Sequence, residues 1–595
     1  RRCSQRLTEV LLRKLKPLDI IDTIADNNET KNSEQLRRSL LHVACSIPAY
    51  WMSIMRPAVT WRAAIAVKAR IDDSLRSLYN FDGTTRASGS PARAALALRQ
   101  CYLPTAVGGL GMRDYTTLRH ACYAASAYNV RRTLPHAAPH ARADFDGVLE
   151  RLSLQDAAFV GAYRFVATAH ADNVAEYLAD DASFYFNTPL PKGKPGGNRR
   201  SYDRPRSYPV ARALPSLSNL YADRDPGTIL QPSQKALGNA IANQVYREWR
   251  RDARAFDAAN TGATIRARES RRLIEVGQRF ADKWLTVTPD LTVPHSVLVS
   301  STSRCAVERR LGLYLTDGEA HFDALEAAGL AASQSDRLGD TAANQHNHTR
   351  RHNNGNRACR DAIAAKATTE VILGDKGDYS PRAVAAAAAR YKSFNDGHIP
   401  DIIHKHAAPN GNHVLYEFKC ASGLCTSKTN LGTGTRKRGG SPGTTAGDRV
   451  AFGDVEDDLC AGGPTGGVGI FGRAAHGSAG QGPFVHEGPG ANTGWVQAQP
   501  GYYHDGIFTK KNLVFALIAN PFGGVSRGVD RLLIQADKLK AHDNTRYGVY
   551  STQGFYNHHS TQLSLALVKG DNESILSQIS FDQTRFTRTG EARRL

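Results

Sequence analysis

Two carboxylates and an ammonium stand at a spacing that can do hydrolytic chemistry. The chain reads Pro400-Asp401-Ile402-Ile403 and then, after a polar stretch, Val414-Leu415-Tyr416-Glu417-Phe418-Lys419. Glu417 and Lys419 are alternate residues of an apolar-rich run, so on a strand they share one face. An aspartate on the neighbouring strand can complete a carboxylate pair beside the ammonium. Hard carboxylate oxygens hold Mg²⁺ or Mn²⁺, the ion activates a water, and the lysine orients that water or offsets developing charge. Metal-dependent phosphodiester hydrolysis needs this set. The same letters also suit a solvated hairpin with Glu417 and Lys419 as an exposed pair.

The elements that must position these residues are strands over 399–405 and 413–420, joined through Pro409-Asn410-Gly411-Asn412. Loop parity decides whether the chemistry exists. A two-residue turn at Asn410-Gly411 would set Asp401 opposite Cys420 and send Glu417 and Lys419 to the other face. A three-residue turn would set Asp401 opposite Ala421, with both on its face. An odd loop or a bulge between Ala407 and His413 is therefore expected. Around the hairpin, the pattern predicts helices over 356–367 and 383–392, a strand from Thr369 to Leu373, and a strand from Leu513 to Ala519. A short helix with Tyr503, His504, Asp505, Lys510 and Lys511 should lead into the last strand. Helices near 526–540 and 558–579 close the chain. Asp361, on the helix over 356–367, is either an outer acid of the site or a surface residue. The Gly-rich segment 421–494 is too poor in apolar side chains to bury a core and is expected to be a mobile loop.

This order resembles the αβββαβ core of PD-(D/E)xK restriction-like endonucleases, with 421–494 as an insertion before the second core helix. The resemblance implies Asp401, Glu417 and Lys419 as catalytic residues. It implies Asp401, Glu417 and the Phe418 carbonyl as ligands of Mg²⁺ or Mn²⁺, and Lys510 or Lys511 near phosphate.

Upstream, Asn344 to Asn356 reads NQHNHTRRHNNGN. The stretch Arg350-Arg351-His352-Asn353 is similar to one that follows the zinc ligands of retroelement proteins carrying such a nuclease. The zinc cysteines themselves are missing, so zinc is not expected, although His346, His348 and His352 could bind a metal. The match makes Arg350 and Arg351 candidate nucleic-acid contacts.

Residues 1–185 read as helical. Cys45, Pro48, Tyr50, Arg56, Pro57, Leu103-Pro104 and Gly108-Gly109-Leu110-Gly111 resemble the segment after the polymerase palm of LINE-like (non-LTR) retroelement reverse transcriptases. Physically that stretch is a glycine turn between packed helices. Ala179-Asp180-Asp181 is not the family's catalytic Asp-Asp turn, which lies upstream of the glycine segment. The palm is expected to be missing, so no polymerase activity is expected from these residues. Residues 186–235 form a basic linker of Pro, Gly, Arg and Tyr. Arg199, Arg200, Arg204 and Arg206, interleaved with Tyr202 and Tyr208, suit a nucleic-acid backbone; a solvated tether fits equally. Residues 236–343 read as a helical connector. Its arginines at 247, 250, 251, 254, 266, 268, 271 and 272 either line a nucleic-acid path or form a solvated face.

The chain has 595 residues and a formal net charge of +20. That excess favours a polyanionic partner. Its nine cysteines are scattered, which gives no support to a disulfide scaffold or a standard zinc site. No apolar run is long enough to span a membrane, and no secretory signal is visible. The chain starts Arg-Arg-Cys and is expected to be part of a longer polypeptide.

The expected fold is α+β, with a mostly α-helical N-terminal half and a restriction-endonuclease-like domain over 344–595. The expected function is target-DNA nicking that primes reverse transcription, with element RNA and target DNA as partners, no membrane association and, by the resemblance, a nuclear location. The rivals are a degenerate copy that binds nucleic acid without cutting, and a helical host interaction protein.

Overall fold

A computed structural model describes residues 2–21, 24, 33–86, 91–137, 157–179, 214, 233–260, 268–287, 297–330, 334–344, 348–373, 400–420, 472–473, 499–500, 511–538 and 554–589. The linker arginines Arg199, Arg200, Arg204 and Arg206 lie outside these residues, as do His346 and Lys510. So do the expected helix over 383–392, the 501–510 part of the expected short helix, and nearly all of 421–494.

In chain order the helices are α1 (Arg2–Lys14), α2 (Pro17–Ile21), α3 (Ser33–Ala44), α4 (Ala49–Ile54), α5 (Pro57–Leu78), α6 (Phe81–Arg86), α7 (Pro91–Cys101), α8 (Tyr115–Ala137), α9 (Ala157–Ala179), α10 (Gln234–Ala259), α11 (Arg268–Val276), α12 (Ser300–Leu311), α13 (Glu319–Ala327), α14 (Gln334–Arg337), α15 (Asp340–Asn344), α16 (His348–Ala364), α17 (Arg527–Lys538) and α18 (Gly554–Thr589). The strands are β1 (Val371–Leu373), β2 (Ile402–His404), β3 (Val414–Cys420), β4 (Gly472–Arg473), β5 (Gln499–Pro500) and β6 (Leu513–Ala519). Helices dominate and the main sheet is small and mixed, so the fold is α+β.

The chain forms two compact units. Unit 1 takes residues 1–260 and 297–316, and unit 2 takes 261–296 and 317–595. The expected connector is therefore divided: α10 and α12 belong to unit 1, while α11 belongs to unit 2.

Unit 1 is helical and is tied together at its glycine-rich turn. Gly108 (φ 100°) and Gly111 (φ 74°) take the left-handed conformation that side chains resist. Gly109 is required for a different reason. A Cβ there would lie 1.9 Å from the Leu103 carbonyl oxygen. The buried Arg310 of α12 donates to the carbonyls of Thr105 at 2.7 Å and Gly109 at 3.2 Å. Gln100 donates to Gly108 O and to Arg310 O at 2.7 and 3.0 Å. Buried carbonyls need such partners.

Unit 2 is built on a sheet of order β1-β2-β3-β6. β1, β2 and β3 pair antiparallel in sequence order, and β6 joins parallel to β3. One sheet face carries Ile402, Val414, Tyr416, Phe418 and Leu517, which share a core with Cys359, Ile363, Val529, Leu533, Leu563 and Leu567 from α16, α17 and α18. The other face is buried too, through Ile403, Leu415 and Ile518. Double burial explains why β3 reads as a near-continuous apolar run, whereas the first half of β6 leaves Leu513 and Phe515 exposed.

α11 corrects the reading of its arginines as a nucleic-acid path or a solvated face. Arg268 and Arg272 are buried. Arg268 pairs with Asp340 and Glu269, each at 2.6 Å, and Arg272 Nε donates to Glu269 at 2.8 Å. They form an internal ion network.

Candidate active site

The β2–β3 register sets the geometry. Ile402 pairs with Tyr416, Ile403 with Leu415 and His404 with Val414. The loop over 405–413 holds an odd number of residues, as the parity argument requires. It is longer than the three-residue turn weighed from sequence, so the next pair along is Asp401 with Glu417, not Asp401 with Ala421. The extra residues close on themselves. Gly411 N donates to Ala408 O at 2.9 Å, Ala408 N donates to Asn412 O at 3.0 Å, and Gly411 turns at φ 77°. The loop is also tied to the start of β6: Asn410 and Asn412 donate to the Lys511 carbonyl at 2.9 and 3.3 Å.

Asp401, Glu417 and Lys419 come together. Lys419 Nζ contacts Glu417 Oε1 directly. Glu417 is 1% exposed, while the Lys419 side chain keeps 37% of its surface accessible, so the cluster opens to solvent on the lysine side. Asp401 accepts from the Phe418 N–H at 2.7 Å. His352 of α16 completes the set. Its Nε2 lies 3.0 Å from the Phe418 carbonyl and 3.3 Å from Asp401 Oδ1.

These groups perturb one another. Burial pushes the Asp401 carboxyl up from its ordinary range, the His352 hydrogen bond opposes that, and the Glu417 charge adds to it. Burial alone would lower Lys419, but Glu417 and Asp401 outweigh it and hold the ammonium above its usual value. Burial would likewise lower His352, yet its hydrogen bond to Asp401 and the Asp401 charge raise it. Two carboxylates in one buried place, flanked by an ammonium and an imidazole, form an arrangement of mutually perturbed groups rather than a solvated surface pair.

The other residues singled out from sequence fall elsewhere. Arg351 is buried and paired with Asp571 of α18, so its guanidinium faces the protein interior and not a ligand. Arg350 is half exposed and lies 3.8 Å from Glu573. Lys511 has φ 55° and so is not helical. It precedes Ala516, the β6 partner of Glu417, by roughly 16 Å of extended chain, which puts it at the far end of the sheet from Lys419. Asp361 is 60% exposed and paired with Arg360, a surface residue. His352 was weighed only as a metal ligand, and its hold on Asp401 was not foreseen. Asn356, whose Nδ2 donates to the Asp401 carbonyl at 3.3 Å, was missed altogether. The available signal was the one-turn spacing of His352 and Asn356 on a single helix.

Among the described residues no group of three or more His, Cys, Asp and Glu side chains is placed to hold a metal ion. A metal at this site would therefore need the Phe418 carbonyl beside Asp401 and Glu417. That all-oxygen set suits Mg²⁺ or Mn²⁺, which fill their remaining positions with water and phosphate oxygens. Among the described residues no helix is long and apolar enough to cross a membrane. No protein-family model, curated protein or solved structure matches the chain.

Proposed function

We propose that unit 2 is a divalent-metal-dependent DNA endonuclease of the restriction-like kind, in the C-terminal part of a LINE-like retroelement protein. One observation carries this reading: the hairpin register brings two buried carboxylates, Asp401 and Glu417, together with Lys419. The antiparallel β1-β2-β3 after α16, with β6 parallel to β3, supports the αβββ part of the αβββαβ reading and its last strand; the second core helix expected before β6 falls outside the described residues. The net charge of +20 supports a nucleic-acid partner.

Asp401, Glu417 and the Phe418 carbonyl would hold the ion. A bound Mg²⁺ would supply a coordinated water of lowered pKa and offset phosphate charge. Lys419 is kept protonated by its two carboxylate neighbours. It therefore acts as a donor that orients the attacking water and steadies phosphate oxygen, and it does not take the water's proton. The accessible lysine side is where DNA would approach. The reaction forms a bond from water oxygen to phosphorus as one P–O3′ bond breaks. The water gives its proton to solvent and O3′ takes one from solvent, which leaves a 5′ phosphate and the 3′ hydroxyl that priming of reverse transcription requires.

Supercoiled plasmid tests the proposal. Mg²⁺ should convert it to the nicked form, and a chelator should stop conversion completely. DNA binding that weakens with salt while no nicking occurs would leave the non-cutting copy as the reading. No binding at any salt would favour the interaction protein.

A further inference from the structure

The sheet lacks a backbone rung at Phe418. The β2–β3 register pairs His404 with Val414 and Ile402 with Tyr416. Carried two residues further, it sets Pro400 opposite Phe418. β2 has ended by then, and Pro400 has no N–H to give the Phe418 carbonyl. Yet Phe418 is fully buried, where backbone groups require partners.

Two side chains supply them. Asp401 Oδ2 accepts the Phe418 N–H at 2.7 Å, and His352 Nε2 meets the Phe418 carbonyl at 3.0 Å. A carbonyl only accepts, so Nε2 carries the proton. The same nitrogen lies 3.3 Å from Asp401 Oδ1. Thus the carboxylate is tied at both oxygens. One helical turn on, Asn356 holds the Asp401 backbone carbonyl. Gly355 permits the close approach of α16, since a Cβ there would lie 2.5 Å from the Phe418 ring.

We propose that His352 is a positioning residue, which joins Asp401 in a side-chain rung that replaces the strand pairing lost at Pro400 and so fixes the Asp401 carboxylate beside Glu417. The rung stands on the geometry alone. Its consequence for metal binding rests on the nuclease reading above.

Amide exchange in the full chain labelled with ¹⁵N-phenylalanine tests the rung, with the Phe418 resonance assigned by its loss in Phe418→Tyr. The wild-type Phe418 amide should be strongly protected although its bond goes to the Asp401 side chain and not to a strand carbonyl. Exchange at the rate of a solvent-exposed amide would overturn the proposal without any further variant. His352→Leu should raise Phe418 exchange by about tenfold or more and leave the buried Phe280 and Phe555 amides unchanged. His352→Gln, which keeps an N–H donor, should retain most of the protection. A Phe418 rate in His352→Leu within twofold of wild type, or equal losses in the Leu and Gln variants, would each overturn it. Mn²⁺ affinity by electron paramagnetic resonance reads the consequence. It should fall about 10–100-fold in His352→Leu and recover in His352→Gln. Failure of the wild type to bind Mn²⁺ would overturn the nuclease reading, and exchange would still decide the rung.

Discussion

The glycine-rich turn of unit 1 and the β2–β3 hairpin of unit 2 are built alike and do different things. Each is a short, motif-like stretch gripped by a helix distant in sequence: α12 through Arg310 in the first, α16 through His352 and Asn356 in the second. At the turn, Arg310 meets the main-chain carbonyls of Thr105 and Gly109, and the tightest constraint is the space at Gly109. At the hairpin, the helix meets a carboxylate that is itself beside a second carboxylate and an ammonium. The turn is satisfied as it stands. The hairpin gathers charges whose balance an ion or a phosphate would change. A motif is thus worth reading as chemistry when its grip falls on titratable groups, and as architecture when its grip falls on backbone.

The comparison can be broken most sharply at Glu417. If unit 2 is the proposed nuclease, Glu417→Gln should lower plasmid nicking about 1000-fold, since it removes a charge that would face the metal and be worth several kcal/mol, and it should leave the fold intact by circular dichroism. Near-normal cutting would make the hairpin as architectural as the turn. Gly109→Ala should destabilise unit 1 by more than about 4 kcal/mol in denaturant unfolding, because its Cβ would collide with the Leu103 carbonyl. Gly161→Ala is the control. Nothing lies within 4 Å of the added Cβ in α9, so it should stabilise by about 0.5–1 kcal/mol.

Asp571→Ala tests whether Arg351 is a fastener. Breaking the buried Arg351–Asp571 pair should cost about 3–5 kcal/mol, and Arg351→Met added to it should restore much of that. An equal loss in the double variant would mean the pair is not coupled.

The smallest effect concerns acid. Burial, aided by His558 and Lys366, lowers the buried His559 of unit 2 to about 4. Burial and Arg119 lower His120 of unit 1 to about 4 as well. Each folded-state value lies below the unfolded one, so the unfolded chain takes up the proton first. Stability should therefore fall as pH drops from about 6.5 toward 4. His559→Phe should flatten that fall for unit 2 and leave the fall of unit 1 in place. His352 has the opposite sign: its value is raised, so its contribution is full at low pH and is lost as pH rises through the folded value. An unchanged acid limb in His559→Phe would assign the acid sensitivity to other groups.

The hairpin was legible in the sequence because its strands are apolar runs around a turn signal, and the parity of its loop followed from the demand that Asp401 and Glu417 share a face. Its grip was not. α16 begins at His348, well before the helix expected from Asn356, although His, Asn and Gly in this stretch are poor helix formers. Tertiary packing overrides that preference: Gly355 lies against Phe418 and Arg351 reaches Asp571. The α11 arginines misled for a similar reason. A run of basic residues looks solvated, and Asp340, the partner that buries Arg268, is too far along the chain for any local pattern to display.

The division of the chain between the units has a consequence for synthesis. Unit 1 needs residues 297–316, and the chain enters unit 2 at Thr261 before supplying them. Glu308 of α12 accepts from the backbone N–H groups of Asn80 at 3.2 Å and Thr316 at 3.0 Å, contacts that do not exist until this return segment is made. At ~5–20 residues per second, translation from 260 to 316 takes roughly 3–11 s. Through that interval the nascent helical unit lacks its clasp, and Gln100 and the carbonyls of Thr105 and Gly109 await Arg310. Chains arrested near residue 290 should be cut readily by protease within 33–137, and chains arrested beyond 350 should resist. The ribosome, and whatever chaperone attends it, must shelter the body of unit 1 until its return segment has emerged.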